Sequence, residues 1–149
     1  MTTVHDAAGG EAGLVALARA WHARCLADPV AGHPFDRRDL HPQHVERLAA
    51  YWAEALGGPS TFTDSMNDEA AVLRMHAGNG THRELDALVV ELFDRAMDDV
   101  GITTEPLRST LHDYFAWSTD RMGQHPDSPD AVADDARMPH WDWDGPVPR

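Results

Sequence analysis

Val72-Leu73-Arg74-Met75-His76-Ala77-Gly78-Asn79-Gly80 sets a histidine between a short apolar run and a glycine-rich turn. A break directly after His76 keeps its imidazole out of a long, tightly packed helix, so the ring can point into a cavity. The chain holds ten histidines, so position carries more information than presence. A lone histidine near a helix end is a weak metal signal. What His76 means depends on what the neighbouring segments bring to it.

Four segments carry helical periodicity, and none alternates like a strand. The first runs from about Glu11 to Asp28, with Leu14, Leu17, Ala18, Trp21, His22 and Cys25 on one stripe, and stops before Pro29. The second opens at His41-Pro42, where proline suits a first helical turn. Its stripe is Val45, Leu48, Trp52 and Ala55, and Gly57-Gly58-Pro59 ends it. The third passes through Leu85, Leu88, Val89, Leu92, Phe93, Ala96, Met97 and Val100 to Gly101. Thr81 and Glu84 are spaced to form a capping box at its start. The fourth runs from about Thr104, its expected cap, to Met122 through Leu107, Leu111, Tyr114, Phe115 and Ser118. Between the second and third lies a weakly periodic stretch, Ser60 to Gly80, with room for one short helix over Glu69–His76. Two helix pairs crossing over a cavity can hold a flat apolar cofactor.

Composition bounds the rest. A chain of 149 residues is one domain by length, and its 42% hydrophobic and 25% charged residues are ordinary for a folded core. No run approaches the roughly 20 apolar residues of a membrane span. No basic-then-apolar start reads as a signal peptide, and one cysteine, Cys25, excludes an intrachain disulfide framework. The cytoplasm is the expected compartment. A formal net charge of −13, with all 12 basic residues arginine, argues against nucleic-acid and anionic-membrane partners. From about His125 the chain turns proline- and aspartate-rich, with Trp141 and Trp143 inside it. Indoles seldom stay in water; this tail is either strapped onto the body or disordered with incidental aromatics.

Three histidines fall where a buried face is expected. His22 lies one turn after Ala18, His44 lies one turn before Leu48, and His76 is the third. His5, His33, His82, His112, His125 and His140 read as surface residues. Cys25 reads as a small buried apolar group. Burying imidazoles costs free energy unless their nitrogens find partners. Backbone carbonyls or water can satisfy them. Three imidazoles can also hold zinc with one open position, although no HExxH-like pair or adjacent carboxylate base accompanies them. The third possibility is haem, with one histidine on iron and others on the opposite face; Phe35, Leu48, Trp52, Phe93, Tyr114 and Phe115 can supply the apolar lining.

In the order and spacing of several segments the chain resembles the truncated (2-on-2) haemoglobins, most of all their group II. His5-Asp6-Ala7-Ala8-Gly9-Gly10 is similar to the family's short first helix and glycine pair. Arg19-Ala20-Trp21-His22 and Ala27-Asp28-Pro29-Val30 are similar to its second helix and exit. Pro34-Phe35 stands where an aromatic wedge meets the haem, Ala55-Leu56-Gly57-Gly58-Pro59 resembles the group II helix end, Arg74-Met75-His76-Ala77 resembles the proximal segment, and Leu111-His112-Asp113-Tyr114 matches the last helix. The resemblance implies an all-α, globin-like 2-on-2 helical sandwich over residues 1–124, followed by a Pro/Asp/Trp-containing tail over 125–149.

It further implies a haem b cofactor with His76 on iron, and reversible binding of O2, NO or CO. Oxidoreductase activity of the NO dioxygenase or peroxidase-like kind is a further expectation, as are a reductase partner and a monomeric or homodimeric state. His76 needs a partner on its second nitrogen, and a carbonyl of Val72 or Leu73 is the natural one. The lining is expected from Phe35, His44, Leu48, Trp52, Phe93 and Tyr114, with Arg47 facing a haem propionate.

The chain departs from the family on the distal side. His22 stands in place of the usual tyrosine, Phe35 where tyrosine is frequent, and Leu88 or Val89 in place of the usual tryptophan. His22 and His44 become the candidate distal, catalytic residues. Either can donate to a gas ligand, or one can reach iron and make a six-coordinate haem suited to sensing or electron transfer. The alternative is a globin-fold interaction module without haem.

Overall fold

The computed structural model of the protein describes residues 2–32 and 41–148. Among these are seven α-helices: α1 (Val4–Ala7), α2 (Gly10–Ala27), α3 (His44–Ala55), α4 (Thr61–Ser65), α5 (Glu69–His76), α6 (Arg83–Asp99) and α7 (Leu107–Met122). A 3-10 turn over Pro129–Ala131 and a hairpin of β1 (Trp141–Asp142) and β2 (Gly145–Pro146) follow. Helix α2 packs on α3 and α6, and α6 packs on α7, which sets one helix pair over another. The all-α sandwich expected from the sequence is the fold found.

The four long helices meet through one ring each. Phe93 of α6 stacks on Phe115 of α7 at 4.2 Å between centroids. Trp52 of α3 meets Phe93 edge-on at 5.5 Å, and Trp21 of α2 meets Phe115 at 5.3 Å. Such pairs contribute about 0.5–1.5 kcal/mol each beyond their buried area. The Trp21 indole N–H also donates to the Val89 carbonyl at 3.0 Å. An indole carried by α2 thus reaches the part of α6 where the sequence offers only Leu88 and Val89.

Helix α2 stops because Asp28 turns its carboxylate onto the N–H groups of Val30 and Ala31, at 2.9 and 3.0 Å, a local bond that competes with continued helix. Helix α3 stops at Gly57, whose φ of +99° suits glycine and whose missing Cβ would sit 3.1 Å from Thr3. The space admits α1, and the His5 N–H donates to the Leu56 carbonyl at 3.0 Å. His5 is therefore not the surface residue expected. Its side chain is 13% exposed and its ring lies against Gly58. His112, also expected at the surface, is half-buried and pairs with Asp94 at 2.7 Å. His125 and His140 are half-buried too, His82 is exposed, and His33 lies outside the described residues.

Two expected caps do not form. Helix α6 begins at Arg83 behind His82, with no side-chain cap. The chain before it is pinned elsewhere: the N–H groups of Gly78 and Gly80 donate to the carbonyls of His125 and Pro126, at 2.8 and 2.9 Å. Helix α7 begins at Leu107 behind Pro106, and Thr104 contributes its backbone carbonyl rather than its hydroxyl.

The segment after α7 lies on the body. Val132, Met138 and Trp141 are buried. Trp141 packs on Tyr114 at 5.8 Å and on Trp117 at 5.2 Å. The Trp143 indole donates to the Thr2 carbonyl at 2.8 Å. Cys25 is fully buried, and desolvation pushes its thiol up to about 12, which makes it inert at neutral pH.

Candidate functional site

Helix α5 is short because Asp68 caps its start, accepting from the Ala71 N–H at 2.8 Å, and the Gly78 turn follows its end. Ala70, Leu73 and Ala77 bury one side of this segment. His76, on its last turn, is exposed. Its Nδ1 lies 2.8 Å from the Val72 carbonyl oxygen. A carbonyl oxygen only accepts, so Nδ1 carries the proton and Nε2 carries the lone pair that a metal takes. This is the second-nitrogen partner anticipated from the sequence.

On the other side, α2 and α3 bring His22 and His44 together, with ring centroids 5.4 Å apart. Both are half-buried. Burial lowers the pKa of each, and for His44 the neighbouring His22, His41 and His76 lower it further. The structure brings His22 and His44 together, whereas His76 is exposed rather than on the buried face expected of it. Both rings are held mainly neutral at pH 7, with one N–H donor and one acceptor each.

Leu48 and Trp52 follow His44 one and two turns along α3; Leu48 is half-buried and Trp52 is buried in the aromatic core with Phe93. Arg47 is half-buried, with one Nη 3.4 Å from the Met66 carbonyl. Phe35 lies outside the described residues. Tyr114 shares the core cluster with Trp52 and Phe93, is fully buried and packs on Trp141, and desolvation raises its phenol pKa, with Ser118 opposing.

Sequence reasoning missed a buried polar cluster beside that tyrosine. Glu69, 2% exposed in the first turn of α5, accepts from the Tyr51 hydroxyl of α3 at 2.7 Å and from Arg121 Nε of α7 at 2.9 Å. The Arg121 guanidinium lies 5.8 Å from the centre of the Trp117 ring. Desolvation raises the Glu69 pKa, and the two hydrogen bonds oppose that shift. Its one sequence signal is helical spacing, since Glu69 shares a face with Leu73. A second buried carboxylate, Glu54, accepts from the N–H and hydroxyl of Thr63, at 2.9 and 2.5 Å.

A sandwich of α2, α3, α6 and α7, with His22 and His44 on α2 and α3 and His76 at the end of α5, is the architecture of a globin. A sequence profile described as bacterial-like globin matches residues 3–120, and the chain belongs to that family. Its cofactor is haem with its iron, and haem-based gas binding is its chemistry. Among solved structures it is similar to the group II truncated haemoglobin of Bacillus anthracis, with 20% identity and a TM-score of 0.72 over 86% of this chain and 95% of that one. It is similar to the haemoglobin of the thermophilic phototroph Chloroflexus aurantiacus, with 26% identity and a TM-score of 0.69 over 82% and 98%. The thermostable haemoglobin of the actinobacterium Thermobifida fusca gives 24% and 0.67 over 91% and 100%. No curated protein sequence matches. No helix among the described residues is long and apolar enough to cross a membrane.

The residues present fit the cofactor. A histidine with its tautomer set by a backbone carbonyl, two half-buried imidazoles in ring contact and a cluster of indole and phenyl rings are a donor set and apolar surroundings of the kind haem takes.

Proposed function

We propose that the protein binds haem b between α3 and α5 through His76, and that His22 and His44 govern what a diatomic gas meets on the opposite face. The observation that carries this reading is the His76 Nδ1 bond to the Val72 carbonyl. It aligns the ring and raises its basicity as a ligand. Bound haem supplies an open iron coordination position and a one-electron couple.

The chain's own groups do the rest. Leu48, Trp52 and Phe93 exclude water, and Phe35 completes that wall in the sequence-based reading. Arg47 offers guanidinium N–H groups to a propionate, the charge-assisted pairing arginine suits best. Neutral His22 and His44 each offer one N–H toward a gas that gathers negative charge, which holds it in place. The finer activity is NO dioxygenation or peroxide-linked oxidation, with a reductase as electron donor. A second reading is a six-coordinate sensor in which His22 or His44 reaches the iron; the contact between these two rings is the observation behind it. Tyr114, in the same core cluster as Trp52 and Phe93, completes the proposed lining.

Titrating the purified protein with haemin tests the proposal. A sharp Soret band at one equivalent, lost or shifted in His76→Ala, is the expected result. No band, or one that His76→Ala leaves unchanged, would sink it. Nitrate formed from NO by the reduced, oxygenated protein tests the finer activity, and a rate no faster than free haem removes it.

A further inference from the structure

The Tyr51–Glu69–Arg121 cluster sits at a particular place relative to the histidines. Tyr51 follows His44 on α3 by seven residues, and Glu69 precedes His76 on α5 by seven. Seven residues are about two turns, so each pair shares one face of its helix, about 10 Å apart along the axis. At one end of the gap, Tyr51 and Glu69 are joined by a 2.7 Å hydrogen bond. His44 lies two turns from Tyr51 toward the start of α3, and His76 two turns from Glu69 toward the end of α5. The two helices are fastened through Tyr51 and Glu69, two turns away from the histidines.

The fastening is rigid for physical reasons. Tyr51 and Glu69 are 4% and 2% exposed. Phe62 packs edge-on against the Tyr51 ring at 5.3 Å. Arg121 reaches Glu69 from α7 and also donates to the Arg137 carbonyl of the tail at 3.3 Å. The carboxylate has two partners and almost no water. Breaking either bond strands a polar group in a dry site, which such a site resists.

We infer that Tyr51, Glu69 and Arg121 are positioning residues that set the separation between the helix bearing His44 and the helix bearing His76. They touch neither haem nor gas. They act by fixing how far the two histidines stand apart, and so whether His44 meets a gas ligand or displaces it. This inference rests on the proposal that His76 is the iron ligand.

Tyr51→Phe is the discriminating variant, because it removes one hydroxyl and leaves the Glu69–Arg121 pair. Glu69→Gln is the second, in case the first does not accumulate as folded protein. The haem-loaded protein is reduced, and carbon monoxide association is followed by flash photolysis. Amide hydrogen exchange in α5 is measured on the same samples. Arg24→Ala, which cuts the surface ion pair with Asp99, serves as a control destabilised elsewhere.

The expected result is a change of threefold or more in the association rate in either variant, with α5 amides exchanging at least tenfold faster, and neither change in the control. A lower melting temperature with an unchanged association rate and unchanged α5 exchange would overturn the inference. So would the same shifts appearing in Arg24→Ala. Failure of the underlying reading looks different: there, His76→Ala leaves the haem spectrum unaltered.

Discussion

The two ends of the α3–α5 gap are built from opposite materials. At the His44–His76 end the rings are exposed or half-buried, and burial keeps His22 and His44 poor in protons. At the Tyr51–Glu69 end the side chains are dry, matched in hydrogen bonds and backed by α7 and the tail. One end leaves its imidazoles in partial contact with solvent. The other spends buried polar groups, which contribute little net stability compared with apolar packing, on a fixed geometry. The difference teaches that one pair of helices can carry a solvated imidazole cluster and a dry polar fastening built by different rules.

That contrast can be broken by substitution. Glu69→Ala strands Arg121 and Tyr51, so a loss of about 3–5 kcal/mol in urea unfolding is expected; a loss under about 1 kcal/mol would erase the contrast. Trp141→Ala removes the ring behind Tyr114 and Trp117, and a loss of about 3 kcal/mol is expected, read from the same unfolding curves. Trp143→Phe removes the single bond to Thr2 and is expected to cost about 1 kcal/mol, with faster proteolysis of the tail as a second readout.

At the histidine end the expectation reverses. His44→Ala changes the stability of the haem-free protein by less than about 1 kcal/mol, because no buried ion pair is broken. It alters gas-binding kinetics instead, and stopped-flow mixing with carbon monoxide measures them.

The smallest effect is one of pH. His22 and His44 have folded pKa values lowered below 6.5. The unfolded chain therefore binds protons first on acidification. Their contribution is fully present above about pH 6.5 and is lost as pH falls through the lowered values. The haem-free protein is expected to melt progressively lower below that pH, and a double His22→Ala, His44→Ala variant less steeply so. Parallel curves for the two proteins would remove the histidines from the account.

The helices were legible because their signals are local. Periodic stripes placed α2, α3, α6 and α7 to within a few residues, and the glycine turn after His76 placed the end of α5. The Val72 carbonyl was foreseeable because an imidazole at a helix end reaches back one turn. The Tyr51–Glu69–Arg121 cluster was not, since its members come from three helices and only tertiary packing brings them together. For the same reason Thr81 loses its expected cap: the tail takes the backbone before α6 and moves the helix start. His5 was misjudged because its burial depends on Gly58, which reads in sequence only as a turn.

The Trp143 bond to Thr2 joins the second residue to one near the far end of the chain. During synthesis, α1 can rest on α3 long before that indole exists. The final fastening waits until the hairpin clears the ribosome, so the native surface around Thr2 is sealed only after translation of Trp143.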